Sequence, residues 1–137
     1  MVAATMLVGC TTGGMHASSS HSANSGQVLT ITTPATTADV TNPVEVCMAI
    51  NGYTVEPAKN GVNPGKGHHH LLIDVDVPKD LSQPLAKDSE HVHMGDGSTC
   101  KSLTLSKGQH VITAVFAQGN HVPYNPPITA AVIVHVK

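Results

Sequence analysis

The sequence predicts an all-β fold, an immunoglobulin-like antiparallel β-sandwich of about seven strands. Three observations predict it. Apolar and polar residues alternate with a period of two in several short runs, so successive side chains must point to opposite faces of a sheet. Gly, Pro and Asn interrupt the chain between these runs at short intervals. No segment sustains an apolar period of 3.6, and the stretch from Pro78 to Asp88 has room for one helical turn at most.

The first run is Gln27-Val28-Leu29-Thr30-Ile31-Thr32, a plain alternation. Val44 to Ile50 follows the turn signal Thr41-Asn42-Pro43. His68 to Val77, Lys101 to Leu105, Gln109 to Ala117 and Ile128 to Val136 supply four further strand candidates. Lys107-Gly108 is a short turn that predicts a hairpin between the two strands flanking it. Gly119-Asn120 and the stretch from Pro123 to Pro127 break the chain before the last strand. With two tyrosines, one phenylalanine and no tryptophan, the core must be built from Val, Ile and Leu.

Ahead of the sandwich, residues 1–9 are apolar or small up to Cys10. Leu7-Val8-Gly9-Cys10 looks like a bacterial lipobox, in which an export signal is cut before a cysteine that is then acylated. No Lys or Arg precedes the apolar run, as expected if the start lies further upstream. Residues 10–26 then read as lipid anchor and flexible tether, rich in Ser, Gly and Thr, with His16 and His21 solvated in it. Residues 27–137 form the domain, about the usual size of one. The expected place is the bacterial cell envelope, lipid-anchored to the membrane and facing the periplasm. No other stretch has the roughly 20 apolar residues of a bilayer span.

That compartment permits disulfides, and with Cys10 acylated, Cys47 and Cys100 remain as an even pair. A bridge between them is expected; two buried free thiols, or one cysteine as a copper ligand, are the alternatives. The net charge is −2 at pH 7 and no basic run occurs, so no nucleic-acid partner is indicated.

The chemistry lies in the ten histidines. On a strand, His68 and His70 share one face with Leu72 and Asp74, while His69 shares the other with Leu71 and Ile73. If that second face is the core, His69 is a buried structural histidine bonded to backbone. His91-Val92-His93 repeats the pattern, with two imidazoles at i and i+2. Two such pairs side by side offer up to four nitrogen donors, a set suited to copper or zinc rather than to calcium or magnesium. His110 and His121 are further candidate ligands. Asp74 and Asp96 are placed to orient an imidazole through its second N–H, with His69 also close to the ligands. Met94 would add a soft thioether favouring Cu(I) if it reaches the metal. His135 alternates with valines on the last strand and is expected on a solvated face.

Gly67-His68-His69-His70-Leu71-Leu72-Ile73-Asp74, His91-x-His93-x-Gly95-x-Gly97, Gly108-x-His110 and His121-x-Pro123-x-x-Pro126-Pro127 together resemble the domain-of-unknown-function family 4399. The resemblance runs from about Val28 to Lys137 and implies an exported, often lipid-anchored β domain with no established activity. The chain departs from the family pattern at Met94, where an aromatic is common, and at Tyr124, where a further histidine is common. The cysteine pair is not a hallmark of the family. A more local likeness joins His91-Val92-His93-Met94-Gly95-Asp96 and Cys100 to the copper-ligand strand of copper/zinc superoxide dismutases, one residue short in spacing and without a bridging histidine or zinc loop. No Ser-His-Asp elbow or phosphate-binding glycine loop is present. Three functions follow: an envelope module that stores or buffers copper or zinc or passes it to partner proteins, a dismutase-like copper enzyme, or a structural or partner-binding sandwich whose histidines form a hydrogen-bond network.

Overall fold

The computed structural model describes residues 27–137; the expected signal peptide, Cys10 and the tether lie outside them. Nine strands occur among the described residues: β1 Leu29–Thr33, β2 Ala38–Val40, β3 Val44–Ile50, β4 Thr54–Val55, β5 Lys66–Ile73, β6 His91–His93, β7 Cys100–Leu103, β8 Gly108–Ala117 and β9 Pro123–Val136. Among the described residues the only helical element is a single 3-10 turn at Ala58–Asn60.

The strands form an all-β sandwich. One sheet has the order β1-β3-β7; the other runs β2-β9-β8-β5-β4, with β6 pairing the free half of the same β5 edge that β4 pairs. In β3 the alternation works as expected: Val44, Val46 and Met48 are buried while Glu45 and Ala49 are exposed. These side chains meet Leu71 and Ile73 of β5, Ile112, Ala114 and Phe116 of β8, and Val132, Val134 and Val136 of β9 in one core. Tyr53 and Tyr124 pack against Phe116 at one end of it, with ring centroids 5.7 and 6.0 Å away. The structure thus spends its few aromatics in one place and fills the rest with aliphatic side chains.

Of the three shortest strands, β6 is the His91–His93 pattern already read from the sequence, while β2 and β4, three and two residues long, are too short for alternation to reveal and carry the count past seven. Two of them pair in parallel, β2 with β9 and β4 with β5, within an otherwise antiparallel sheet. The hairpin expected at Lys107-Gly108 does not form. β7 pairs β3 in one sheet and β8 pairs β5 and β9 in the other, so this turn carries the chain between sheets. The expected bridge is present: Cys47 and Cys100 lie opposite each other in the β3–β7 ladder and are disulfide-bonded across a sequence separation of 53. Closing a loop of that length stabilises the fold by about 4 kcal/mol in the chain-entropy model.

β5 is the strand that positions the site. All of its residues from Gly67 to Ile73 are buried, because both faces are covered. Its inner face joins the core. Its outer face carries a second, smaller apolar cluster of Leu72, Leu85, Val115 and Ala117, with Val75 and Val77 against it. Leu85, Val75 and Val77 belong to the irregular segment between β5 and β6, which folds back over the sheet. Buried outer-face positions on β5 are therefore His68, His70 and Leu72.

Candidate metal centre

The site forms where that segment, β6 and the β8–β9 turn meet the outer face of β5. Pairing sets His70 opposite His93, and both side chains leave the same face. His68 stands two residues before His70 on that face, opposite Ala117. The chain then turns at Gln118–His121, closed by the His121 N–H donating to the Gln118 carbonyl (2.8 Å). His121 adopts φ 68°, and its carbonyl accepts from the Leu85 N–H at 2.9 Å, which ties the turn to the covering segment. In this position the His121 ring reaches over β5.

Four imidazoles converge. Each of His68, His70, His93 and His121 offers a ring nitrogen, and these atoms all lie within 4.8 Å of one another. Nε2 of His68 is 2.9 Å from Nε2 of His70 and 3.1 Å from Nδ1 of His121. Ring centroids are 4.6 Å apart for His93 and His121 and 5.0 Å for His68 and His93. Tetrahedral coordination at the usual zinc–nitrogen length puts neighbouring donors about 3.3 Å apart. The two distances from His68 Nε2, 2.9 and 3.1 Å, are close to that spacing.

A hydrogen-bond network accounts poorly for the same arrangement. A neutral imidazole nitrogen has one in-plane N–H or one lone pair, yet Nε2 of His68 faces two nitrogens at once. A central cation uses every lone pair together. The electrostatics point the same way. Burial and the neighbouring imidazoles push the pKa of His68 down to about 4 and that of His70 to about 2, and that of His93 is also lowered. For these three rings the shift favours the neutral form that coordinates metal.

The other expected ligands are held elsewhere. His91 shares a face with His93, but two residues along a strand amount to about 7 Å. It stands opposite Leu72 rather than His70, and its Nδ1 is 2.7 Å from Asp88 Oδ1. Only one histidine of the dismutase-like pair therefore reaches the cluster. His110 lies at the far end of β8, where its Nδ1 is 2.6 Å from Asp74 Oδ2 and its Nε2 is 2.8 Å from the Ser106 carbonyl. Asp74 raises the His110 pKa, and the ring serves as a clasp between the end of β5 and the start of β8. Ser106 Oγ lies 3.2 Å from the same Nε2, which superficially completes a Ser-His-Asp chain. The carbonyl at 2.8 Å can only accept, so Nε2 donates to it and has no lone pair with which to take a proton from the Ser106 hydroxyl; the constellation is structural.

The residues expected to support the ligands also differ. Asp74 is committed to His110 and to the Val111 N–H (2.8 Å). Asp96 accepts from the Ser98 N–H (3.0 Å) and makes no hydrogen bond to an imidazole. His69 is fully buried on the core side as expected, its ring edge-on to Phe116 at 5.4 Å. Neither of its ring nitrogens has a partner, however, so it is not the backbone-bonded histidine anticipated. Met94 turns into the main core, opposite in sense to His93, and cannot serve the cluster. His135 is exposed near Asp39.

Two features went unseen in the sequence. Gly95 packs against the His93 ring so closely that any Cβ there would collide with it, which fixes where that ring lies. Lys87, with Leu85 and Ala86, borders a cavity of about 90 Å³ whose other walls are His70, His93 and His121. The segment carrying Lys87 has no periodicity, so nothing in the sequence placed it at the site.

A family model, Domain of unknown function (DUF4399), matches residues 46–137, more than half of the chain. The chain belongs to the DUF4399 family. The segment matched to DUF4399 contains all four converging histidines and Gly95, and excludes β1 and β2. The departure from the DUF4399 pattern at Tyr124 removes no ligand from the cluster, since this side chain packs with Tyr53 and Phe116 and donates to the Lys66 carbonyl at 2.7 Å. Comparison with curated proteins and with solved structures returned no match.

Proposed function

We propose that this domain binds one transition-metal ion, copper or zinc, through His68, His70, His93 and His121, and exchanges it with partner proteins at the bacterial envelope. The convergence of four ring nitrogens within 4.8 Å carries the reading. An all-imidazole set suits copper, zinc and nickel, while the lack of a thiolate or carboxylate in it disfavours Fe–S and calcium chemistry. A ligand set made only of imidazoles, with no carboxylate among its four members, favours holding and passing an ion over hydrolysis. The lipobox-like Leu7-Val8-Gly9-Cys10 supports a tether from the membrane; Cys10→Ser should move the protein out of the membrane fraction.

The deciding experiment is titration of the metal-free chain with Cu(II) and with Zn(II), by calorimetry and, for copper, EPR. The reading expects one-to-one submicromolar binding with a nitrogen-rich copper signal, abolished in His93→Ala/His121→Asn. Weak binding at many sites that this variant leaves unchanged would return the cluster to a structural role. Catalytic superoxide removal by the copper-loaded chain would move the assignment to an enzyme.

A further inference from the structure

We infer that the metal centre keeps one coordination position open toward the Lys87 cavity, and that this position takes a small inorganic anion. The inference rests on the metal-binding reading and adds the ligand that completes it.

Access to the cluster is one-sided. His68 and His70 are sealed, at 0% and 2% exposure, whereas His93 and His121 are partly open. The cavity touches His70, His93 and His121 but not His68. His70, His93 and His121 would therefore hold an ion on the side open to the cavity, and His68 on the side closed to it. At about 90 Å³ the space suits a few waters or an anion of a few atoms, and excludes a macromolecular side chain arriving with its backbone.

Charge determines what enters. A divalent ion on four neutral imidazoles retains its full positive charge, and no carboxylate belongs to the ligand set. Buried charge without a counter-ion is costly, so an anion at the open position is strongly favoured over water alone. Neither Asp88, bonded to His91 at 2.7 Å, nor Asp96, which accepts from the Ser98 N–H at 3.0 Å, belongs to the ligand set. The cavity rim instead adds a second positive charge, Lys87. Leu85 and Ala86 supply apolar walls with no hydrogen-bond demand from their side chains. A cation in the wall and a Lewis acid at the floor select a small anion that binds the metal end-on.

The test uses the full chain loaded with one Cu(II) and titrated with sodium azide, followed by visible absorption and EPR. Wild type should develop an azide-to-copper charge-transfer band and a shifted EPR spectrum that saturate together. Lys87→Gln should load copper as well as wild type but bind azide about fivefold more weakly, the effect of removing one unit charge from a partly solvated wall. Lys87→Arg should restore azide binding. Copper that loads one-to-one yet ignores azide up to saturating excess overturns the inference and leaves the metal site standing. Equal azide affinity in wild type and Lys87→Gln overturns the role of Lys87 in it. Failure to load copper at all overturns both the parent reading and this one.

Discussion

Replacing His121 by asparagine separates a metal site from a coincidental cluster. His121 sits at φ 68°, a conformation asparagine tolerates better than alanine does, so the turn should survive the loss of the imidazole. The side chain is only partly buried, which leaves the core untouched. At a free zinc concentration of about 100 times the wild-type Kd, binding stabilises the native state by about 2.7 kcal/mol. For a domain of this size that is a rise of about 10 °C in Tm. Loss of one of four ligands should weaken affinity by at least the roughly 100-fold that even a supporting partner of a ligand can be worth. The same zinc concentration then stabilises His121→Asn by only about 0.4 kcal/mol, a shift of a degree or two. His91→Ala is the internal control: it removes a histidine two residues from His93 that is held by Asp88, and should keep the full shift. Thermal melts followed by circular dichroism, with and without zinc, read all three proteins. A full zinc shift in His121→Asn, or its loss in His91→Ala, would refute the assignment of ligands.

Acid should destabilise the metal-free domain. His69 has its pKa lowered by burial to about 4, so the unfolded chain binds a proton that the folded one refuses. Its contribution is fully present above the unfolded value near 6.5 and is lost as pH falls toward 4, at up to about 3 kcal/mol for this group. Urea midpoints measured from pH 7 to pH 4 should fall steeply in wild type and less so in His69→Leu. Gly95→Ala should weaken metal binding more than tenfold, by displacing the His93 ring, while native circular dichroism persists; unchanged zinc affinity would show that the ring position is not fixed there. Reducing the Cys47–Cys100 bridge, or replacing both cysteines by alanine, should lower the unfolding free energy by about 4 kcal/mol, read from denaturant curves with and without reductant.

Much of this protein could be derived from local pattern. Alternation identified β1, β3, β8 and β9 because a strand with one covered face must place every second side chain in the core. The same parity correctly separated His69 from His68 and His70, since adjacent residues cannot share a face. The cysteine count, with Cys10 set aside by the expected lipobox, anticipated the disulfide. Sheet membership was not legible in this way. The turn at Lys107-Gly108 has the composition of a hairpin, but whether its flanking strands pair or part depends on partners far away in the chain.

Which histidines meet is a matter of register and of distance across the fold. His91 and His93 are equivalent in sequence, and only the pairing of β6 with β5 sets His93 beside His70 while leaving His91 beside Leu72. His121 reaches His68 from 53 residues away through a tight turn bonded to Leu85. Lys87 arrives on a segment with no regular structure. Sequence by itself determined the face each β5 histidine takes, because side-chain direction is fixed by the backbone of its own strand. Tertiary structure alone decided the composition of the site, because convergence at one point is set by how separate elements pack together.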